Sequence, residues 1–424
     1  MLKKGCLVFL LSLTISAGSA QRLPDHVYMP SIRTAKFFQQ NNQQSMAIWT
    51  LGSAELLELH FDDMQKQPRN FFYTLELCNA DWTPAGVSPF EYIRGFTMNR
   101  LTQYRSSSIA ANPYVHYQAL LPERNCIPQT SGNYLLKVFL NSDTSQLAFT
   151  KRLLIVDSRV VIAAQLQAPF DNELVRTHQK VQFSVNTQKL NILNPSQVKA
   201  AVIQNNRWDD AVTNIQPVFM RGSVYEYNGE QDCIFPGGKE YRWADLRSFR
   251  FQSDRIADID RTTVPNEVYV KTDEARDKLR YLFFTDYNGW TAISTSESIN
   301  PWWQGDYANV HFSFKPDNNQ PFAGKQVYLV GEVTGNQIGD TSRMEYDAQK
   351  GVYTKTLFLK QGYYNYAYAT RDTRKPGAKS DGALTEGNYW ETENEYMILF
   401  YYRSFSSRHD ELVGISYLSS ARTR

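Results

Sequence analysis

Apolar and polar residues alternate at a spacing of two along much of this chain, and that period predicts strands. Leu57, Leu59 and Phe61 alternate with Glu58 and His60, and the same period runs through 73–78 and 134–138. Residues 31–38, 46–51 and 151–156 read as further strands, and Ser131-Gly132-Asn133 is turn chemistry leading into one. About seven short strands separated by turns predict an immunoglobulin-like sandwich over residues 22–157.

Asp157-Ser158 then hands over to a second unit, 158–315, with strands expected at 160–166, 181–185, 198–204, 224–227, 268–271, 281–287 and 310–314. Asn288-Gly289 predicts a two-residue hairpin turn, since both positions need positive φ. The polar stretch from Pro316 to Pro321 reads as a linker into a third unit, 316–424, with strands near 326–332, 352–359 and 363–368. Only 244–249 offers a helical period. The expected fold class is therefore all-β: three consecutive immunoglobulin-like or early-set β-sandwich domains.

Residues 1–20 break the pattern. Lys3 and Lys4, the apolar run 7–15 and Gly18-Ser19-Ala20 form a secretory signal peptide with a small-residue cleavage site. Its apolar part is shorter than the ~20 residues of a membrane span. Loss of Lys3 and Lys4 with the leader takes the formal charge from +2 to zero. A neutral exported chain has no electrostatic footprint for nucleic acid and must bind partners through shape and apolar contact. Cys78, Cys126 and Cys233 remain, an odd number too scattered for a disulfide framework. Separate buried thiols are the favoured reading, with a Cys78–Cys126 bridge as the alternative.

Candidate chemistry is sparse. The histidines at 26, 60, 116, 178, 311 and 409 show no metal-ligand spacing, and His116 reads as a strand residue facing solvent or satisfied by a hydrogen bond. Asp286 to Glu297 superficially resembles a calcium loop, but Thr291 stands where that loop requires glycine. Asp62-Asp63 and Asp258-Ile259-Asp260 read as solvated charge, and Ser106-Ser107-Ser108 lacks a base and an elbow. We expect no catalytic residue, no metal and no cofactor, so not an enzyme.

Aromatic richness changes the picture more, with 26 Tyr, 24 Phe and 8 Trp. Most must fill cores. Trp302, Trp303, Tyr364, Tyr366 and Tyr368 are the candidate interface anchors, a role that suits Tyr and Trp, with core packing the favoured reading for the three tyrosines.

The order Leu77-Cys78-Asn79-Ala80-Asp81-Trp82, Tyr92, Gly95-Phe96, Tyr114 with Tyr117, and Ser131-Gly132-Asn133-Tyr134 resembles the type IX secretion system plug protein family of Bacteroidota. Further matches lie at 204–207 with Asn205, at 240–242 with Arg242, at 245–248 and at 393–396. The resemblance implies a periplasmic protein, associated with the outer membrane through its partner. It would bind and occlude the periplasmic opening of the SprA-type translocon barrel, with no direct membrane span. Cys78, Asn79, Asp81, Trp82, Gly95, Tyr114, Tyr117, Gly132, Asn133, Tyr134, Asn205 and Arg242 are then motif residues, and we read them as structural. The third unit is also similar to glycogen-binding early-set domains, but Thr334-Gly335-Asn336 stands in place of their tryptophan. A periplasmic carbohydrate-binding protein is the alternative, with Trp302 and Trp303 as the place to look.

Overall fold

The computed structural model describes residues 23–375 and 377–423; the expected signal peptide, 1–20, lies outside them. Strands hold 45% of the chain and helices 4%, so the all-β expectation holds.

The first sandwich follows the alternation closely. One sheet runs in the order Ile32–Gln39, Leu57–Asp63, Val115–Leu121 and Gln103–Ser106. The other runs Ile48–Thr50, Leu147–Val156, Gly132–Leu140, Phe71–Cys78 and Asn99–Arg100. The inward residues meet as rings: Phe61 stacks on Tyr117 at 4.9 Å, while Phe71 and Phe149 stand edge-on to Phe61 at 5.2 and 4.9 Å. Such pairs add to the stabilisation from apolar burial.

The order of the remaining strands corrects the consecutive division at 315/316. Tyr307–Lys315 pairs antiparallel with Val352–Lys360, from Tyr307 opposite Lys360 to Phe314 opposite Tyr353, so that boundary would cut one sheet in two. Likewise Val198–Gln204 pairs with Glu395–Tyr402, from the far end of the chain. The second sandwich therefore consists of strands between 161 and 236 plus Glu395–Tyr402 and Glu411–Ser419. The third is nested within it, from Arg242–Asp245 to Gly362–Asp372. Local periodicity could not reveal this, because a strand's inward face is the same whichever neighbour it pairs with.

Two smaller expectations also change. Residues 244–249 form no helix; Arg242–Asp245 is a strand on the edge of Gly362–Asp372. Residues 281–287 are irregular rather than a strand. The Asn288-Gly289 turn forms, with φ of 47° and 84° and the Trp290 amide donating to the Tyr287 carbonyl at 2.8 Å, but it closes no hairpin: Thr291–Ile293 pairs with Gly362–Asp372 instead.

Several strands are buried on both faces, which alternation does not predict. In Leu57–Asp63 only Glu58 is not fully buried, and Gly132–Leu140 is buried up to Phe139. The outer faces of these two strands are covered by neighbouring sandwiches, whereas Val161–Gln167 of the second sandwich keeps an exposed face. A chain truncated after residue 392 removes a central strand of the second sandwich. We expect it to lose that sandwich's cooperative unfolding while the first keeps its own; two-dimensional NMR showing full native dispersion would contradict this pairing.

Candidate functional site: the buried junctions between sandwiches

The motif that opened the family resemblance sits where the first sandwich meets the second. Trp82 has φ of 66°, and the tight turn at 79–83 is closed by Asn79 and Thr83: the Asn79 amide donates to the Thr83 carbonyl at 2.8 Å, and Asn79 Nδ2 to Thr83 Oγ1 at 3.1 Å. Asp81, exposed, accepts from the Thr83 amide and hydroxyl at 3.0 and 2.6 Å. This turn presents its groups to the 403–410 turn of the second sandwich. Arg403 Nη2 donates to Asn79 Oδ1 at 2.5 Å, and the Ala80 amide to Asp410 Oδ2 at 3.0 Å. Asn133 joins them, taking the Tyr401 hydroxyl at 2.9 Å while its Nδ2 donates to the Asn79 and Ala80 carbonyls at 3.2 and 3.3 Å.

Apolar contacts surround these bonds. Ile48, Leu154 and Val156 of the first sandwich pack on Ala201, Ile203, Leu399 and Leu412 of the second. Trp82 stands edge-on to Trp208 at 5.3 Å, with the Arg152 guanidinium 4.9 and 4.6 Å from the two rings. The motif is thus a clasp between sandwiches.

The other motif residues are fixed by local sterics and hydrogen bonding. At Gly95, φ is 106° and a Cβ would lie 2.1 Å from the Asn125 carbonyl oxygen. At Gly132 a Cβ would meet Leu77 Cδ1 at 3.1 Å. The Tyr134 hydroxyl donates to the Thr130 carbonyl at 2.8 Å, the Tyr117 hydroxyl to Arg69 at 2.8 Å, and the Tyr114 hydroxyl to Gly305 at 2.7 Å. Asn205 Nδ2 donates to Asn394 Oδ1 at 2.7 Å, and Asn205 Oδ1 accepts from the Glu395 amide at 2.9 Å. Arg242 is buried between Asp273 (2.8 Å) and Glu386 (3.0 Å), with Arg255 on Asp273 and Arg276 on Glu386. Burial would raise the Glu386 pKa, but Arg242 and Arg276 win and hold it down to about 2. Cys78, Cys126 and Cys233 are buried free thiols. Burial pushes Cys78 up to about 12, so it is inert as a nucleophile.

A second junction joins the first sandwich to the third, and it was not foreseen. Asp62 and Asp63, expected in solvent, are fully buried. Asp63 is taken by Arg69 at 2.6 Å. Asp62 Oδ2 accepts from Lys360 Nζ and the Tyr307 hydroxyl, each at 2.5 Å, while Oδ1 meets His116 Nδ1 at 2.7 Å. Burial would raise the Asp62 pKa, yet Lys360 and His116 lower it overall. Lys36 of the first sandwich likewise crosses to Glu332 and the Thr291 carbonyl, at 2.8 and 2.5 Å. His116 is buried, not solvent-facing, and has His60 as a partner at 3.0 Å. Among the described residues no group of three or more His, Cys, Asp or Glu side chains is arranged to hold a metal ion.

The tentative interface anchors belong to these interiors. Tyr364, Tyr366 and Tyr368 are 3%, 0% and 1% exposed, and the hydroxyls of Tyr366 and Tyr368 both donate to Asp273 Oδ2 at 2.8 Å. Trp302 lies flat on His60 at 3.9 Å, which takes one face of its ring, while the half-buried Trp303 lies under the exposed Arg105 at 4.5 Å. Both strand faces in this region are covered, which the alternation of Tyr364, Tyr366 and Tyr368 left open.

With this geometry in place, likeness to known proteins becomes informative. The family model described as Type 9 secretion system plug protein 1st domain matches residues 32–157, the first sandwich. A crystal structure of a hypothetical protein from Parabacteroides merdae superposes with a TM-score of 0.89 at 31% identity, covering 93% of this chain and 98% of that one. The chain belongs to the type 9 secretion system plug protein family. An Enterococcal surface protein N-terminal region reaches only 7% identity and a TM-score of 0.18, which supports no common fold. No curated protein matches the chain. The family match ends at Asp157, one residue past the last strand of the first sandwich. In this family member Asn79, Trp82 and Asn133 brace the first sandwich against the second, and Tyr114 reaches the third, while the other motif residues are held within single sandwiches.

Removing one partner of a buried pair strands the other, at about 3–5 kcal/mol, whereas removing both can be nearly neutral. Lys360→Met should therefore lower stability by about 3–5 kcal/mol in urea unfolding, and Asp62→Asn added to it should recover part of that loss. An additive double mutant would show that the pair is not coupled. Gly95→Ala should cost about 2 kcal/mol or more, since left-handed backbone strain adds to the clash at Asn125; a shift in unfolding midpoint under a few tenths would refute the steric requirement.

Proposed function

We propose that this plug-family protein is the periplasmic stopper of the type 9 translocon. It binds the periplasmic opening of a SprA-type outer-membrane barrel and blocks it when no substrate is in transit. Family membership supplies the secretion-system role. The observation that carries the stopper reading is the bracing of three sandwiches into one body by buried ion pairs and clasps. A wide aqueous pore is closed well by an object that resists deformation, and paired strands with locked junctions provide one. No helix among the described residues is long and apolar enough to cross a membrane, which fits a subunit held at the membrane by its partner.

Contact with the barrel then falls to exposed apolar tips rather than the core tyrosines. Phe90, Phe405 and Leu193 are 81%, 76% and 69% exposed. Their loops converge: Glu91 pairs with Arg408, Gln197 Nε2 donates to the Arg403 carbonyl at 3.2 Å, and the Arg403 amide to the Gln197 carbonyl at 2.7 Å. This rim draws on the first and second sandwiches together and is held rigid by those bonds. Apolar anchors on rigid loops give up little conformational freedom on binding.

Affinity purification of the tagged mature protein from outer membranes tests the reading. One giant barrel should co-purify at low and at raised salt, because screening barely affects apolar contacts. Phe90→Ala and Phe405→Ala should each weaken capture by ~2 kcal/mol or more while leaving the unfolding midpoint almost unchanged. Recovery of no barrel under either condition would defeat the proposal.

A further inference from the structure

The junction of the first and third sandwiches contains a chain of titratable groups that the stopper reading does not use. His60 Nε2 lies 3.3 Å from Glu58 Oε2, His60 Nδ1 lies 3.0 Å from His116 Nε2, and His116 Nδ1 lies 2.7 Å from Asp62 Oδ1. The third sandwich closes over this chain. Trp302 stacks on His60, and Lys360 and Tyr307 both reach Asp62.

Counting hydrogens shows what the chain can hold. Each of its three contacts needs one hydrogen, because a carboxylate only accepts. Two neutral imidazoles bring one N–H each. With His116 donating to Asp62 and His60 donating to His116, the His60 Nε2 lone pair is left facing Glu58. One added proton on His60 Nε2 fills that contact. A second has no gap to enter, since it would set two N–H groups head to head across the 3.0 Å between the rings.

Charge gives the same answer. Glu58, Asp62 and Lys360 together carry one net negative charge, so one proton neutralises them and a second leaves buried positive charge. The other facing groups cancel or are neutral. Lys36, opposite His60 on the neighbouring strand, pairs with Glu332 at 2.8 Å. Arg105, opposite His116, rests on Trp303, while Asp306 accepts from the Asn112 amide at 3.1 Å. Tyr114 and Tyr307 are neutral donors.

We propose that His60 and His116 form an acid-operated latch between the first and third sandwiches, which stays shut with at most one added proton and opens with the second. The proposal does not depend on the stopper reading. Burial supports it by holding both rings below the ordinary histidine range, His60 down to about 3. An opened junction exposes both rings, which then take up protons near the ordinary ~6.5. The closed form binds fewer protons than the opened one, so it loses stability as pH falls below ~6.5 and continues to lose it toward about 3. Each proton of difference raises the opening constant about tenfold per pH unit, hence about ten- to a hundredfold here.

Hydrogen exchange of the full mature chain, compared near neutral pH and near pH ~5 with rates corrected for intrinsic exchange, tests the latch. The reporters are the junction amides of Ser108, bonded to the Trp303 carbonyl, Asn112, bonded to Asp306, and Ile293, bonded to the Gln43 side chain. Their protection should fall about tenfold or more, while that of the Gly132–Leu140 strand holds. Unchanged junction protection overturns the proposal, and so does equal loss in both sets. His60→Phe keeps a ring against Trp302 but cannot be protonated, so it should flatten the acid response. Should that variant fail to fold, NMR titration of the native histidine rings decides: both rings titrating near ~6.5 in the folded chain refutes the latch.

Discussion

A carboxylate sealed from water must be given a cation, and in this protein that requirement reaches across sandwich boundaries. Asp62 leaves the outer face of one sheet and finds Lys360 on a strand nearly 300 residues later, at 2.5 Å. Neither charge is tolerable alone in an interior. The two sandwiches therefore cannot separate without exposing both partners, and they cannot slide without misaligning them. Lys36 with Glu332 repeats the device on the neighbouring strand. The relative placement of the sandwiches is fixed by these pairs more than by apolar area, because apolar contact alone has no preferred register.

The second junction is arranged differently. It is apolar at its centre, with Ile203, Leu399 and Leu412 against Leu154 and Val156, and polar at its edge, where Asn79, Asn133, Tyr401 and Arg403 exchange hydrogen bonds. That is the anatomy of a stable interface. The two junctions together explain why strands such as Gly132–Leu140 are buried on both faces. They also account for the aromatic richness: Tyr114, Tyr307, Trp302 and Trp82 cover junctions as well as cores, and their polar ends satisfy buried carbonyls and carboxylates. The two junctions thus brace the three sandwiches against one another, which is the feature the proposed stopper role draws on.

Much of the fold was legible in the chain. Alternation identified the strands of the first sandwich, and Ser131-Gly132-Asn133 identified the approach to one of them. The family motif was also legible, though not the clasp that Asn79 and Asn133 make with Arg403 and Tyr401, because those partners lie 324 and 268 residues later. Less legible was anything that depended on what lies outside a sheet. Tyr364, Tyr366 and Tyr368 alternate as a strand should, but alternation does not say whether a face meets water or another sheet. His60 and His116, 56 residues apart, show no ligand-like spacing, and only the antiparallel pairing of their strands brings the rings to 3.0 Å.

The sequence by itself determined the all-β class, the sandwich of the first unit and the plug-family membership. Those depend on local period, turn chemistry and an ordered string of residues, all of which are written along one strand of text. The tertiary structure alone decided that the third sandwich is nested in the second, because hydrogen bonds between Val198–Gln204 and Glu395–Tyr402 leave no trace in either strand's own pattern. It alone decided, too, that Asp62, His60, His116 and Lys360 form one buried chain. A charged residue facing outward from a sheet reads identically whether it meets solvent or its counter-ion, and the difference is made by the sandwich that closes over it.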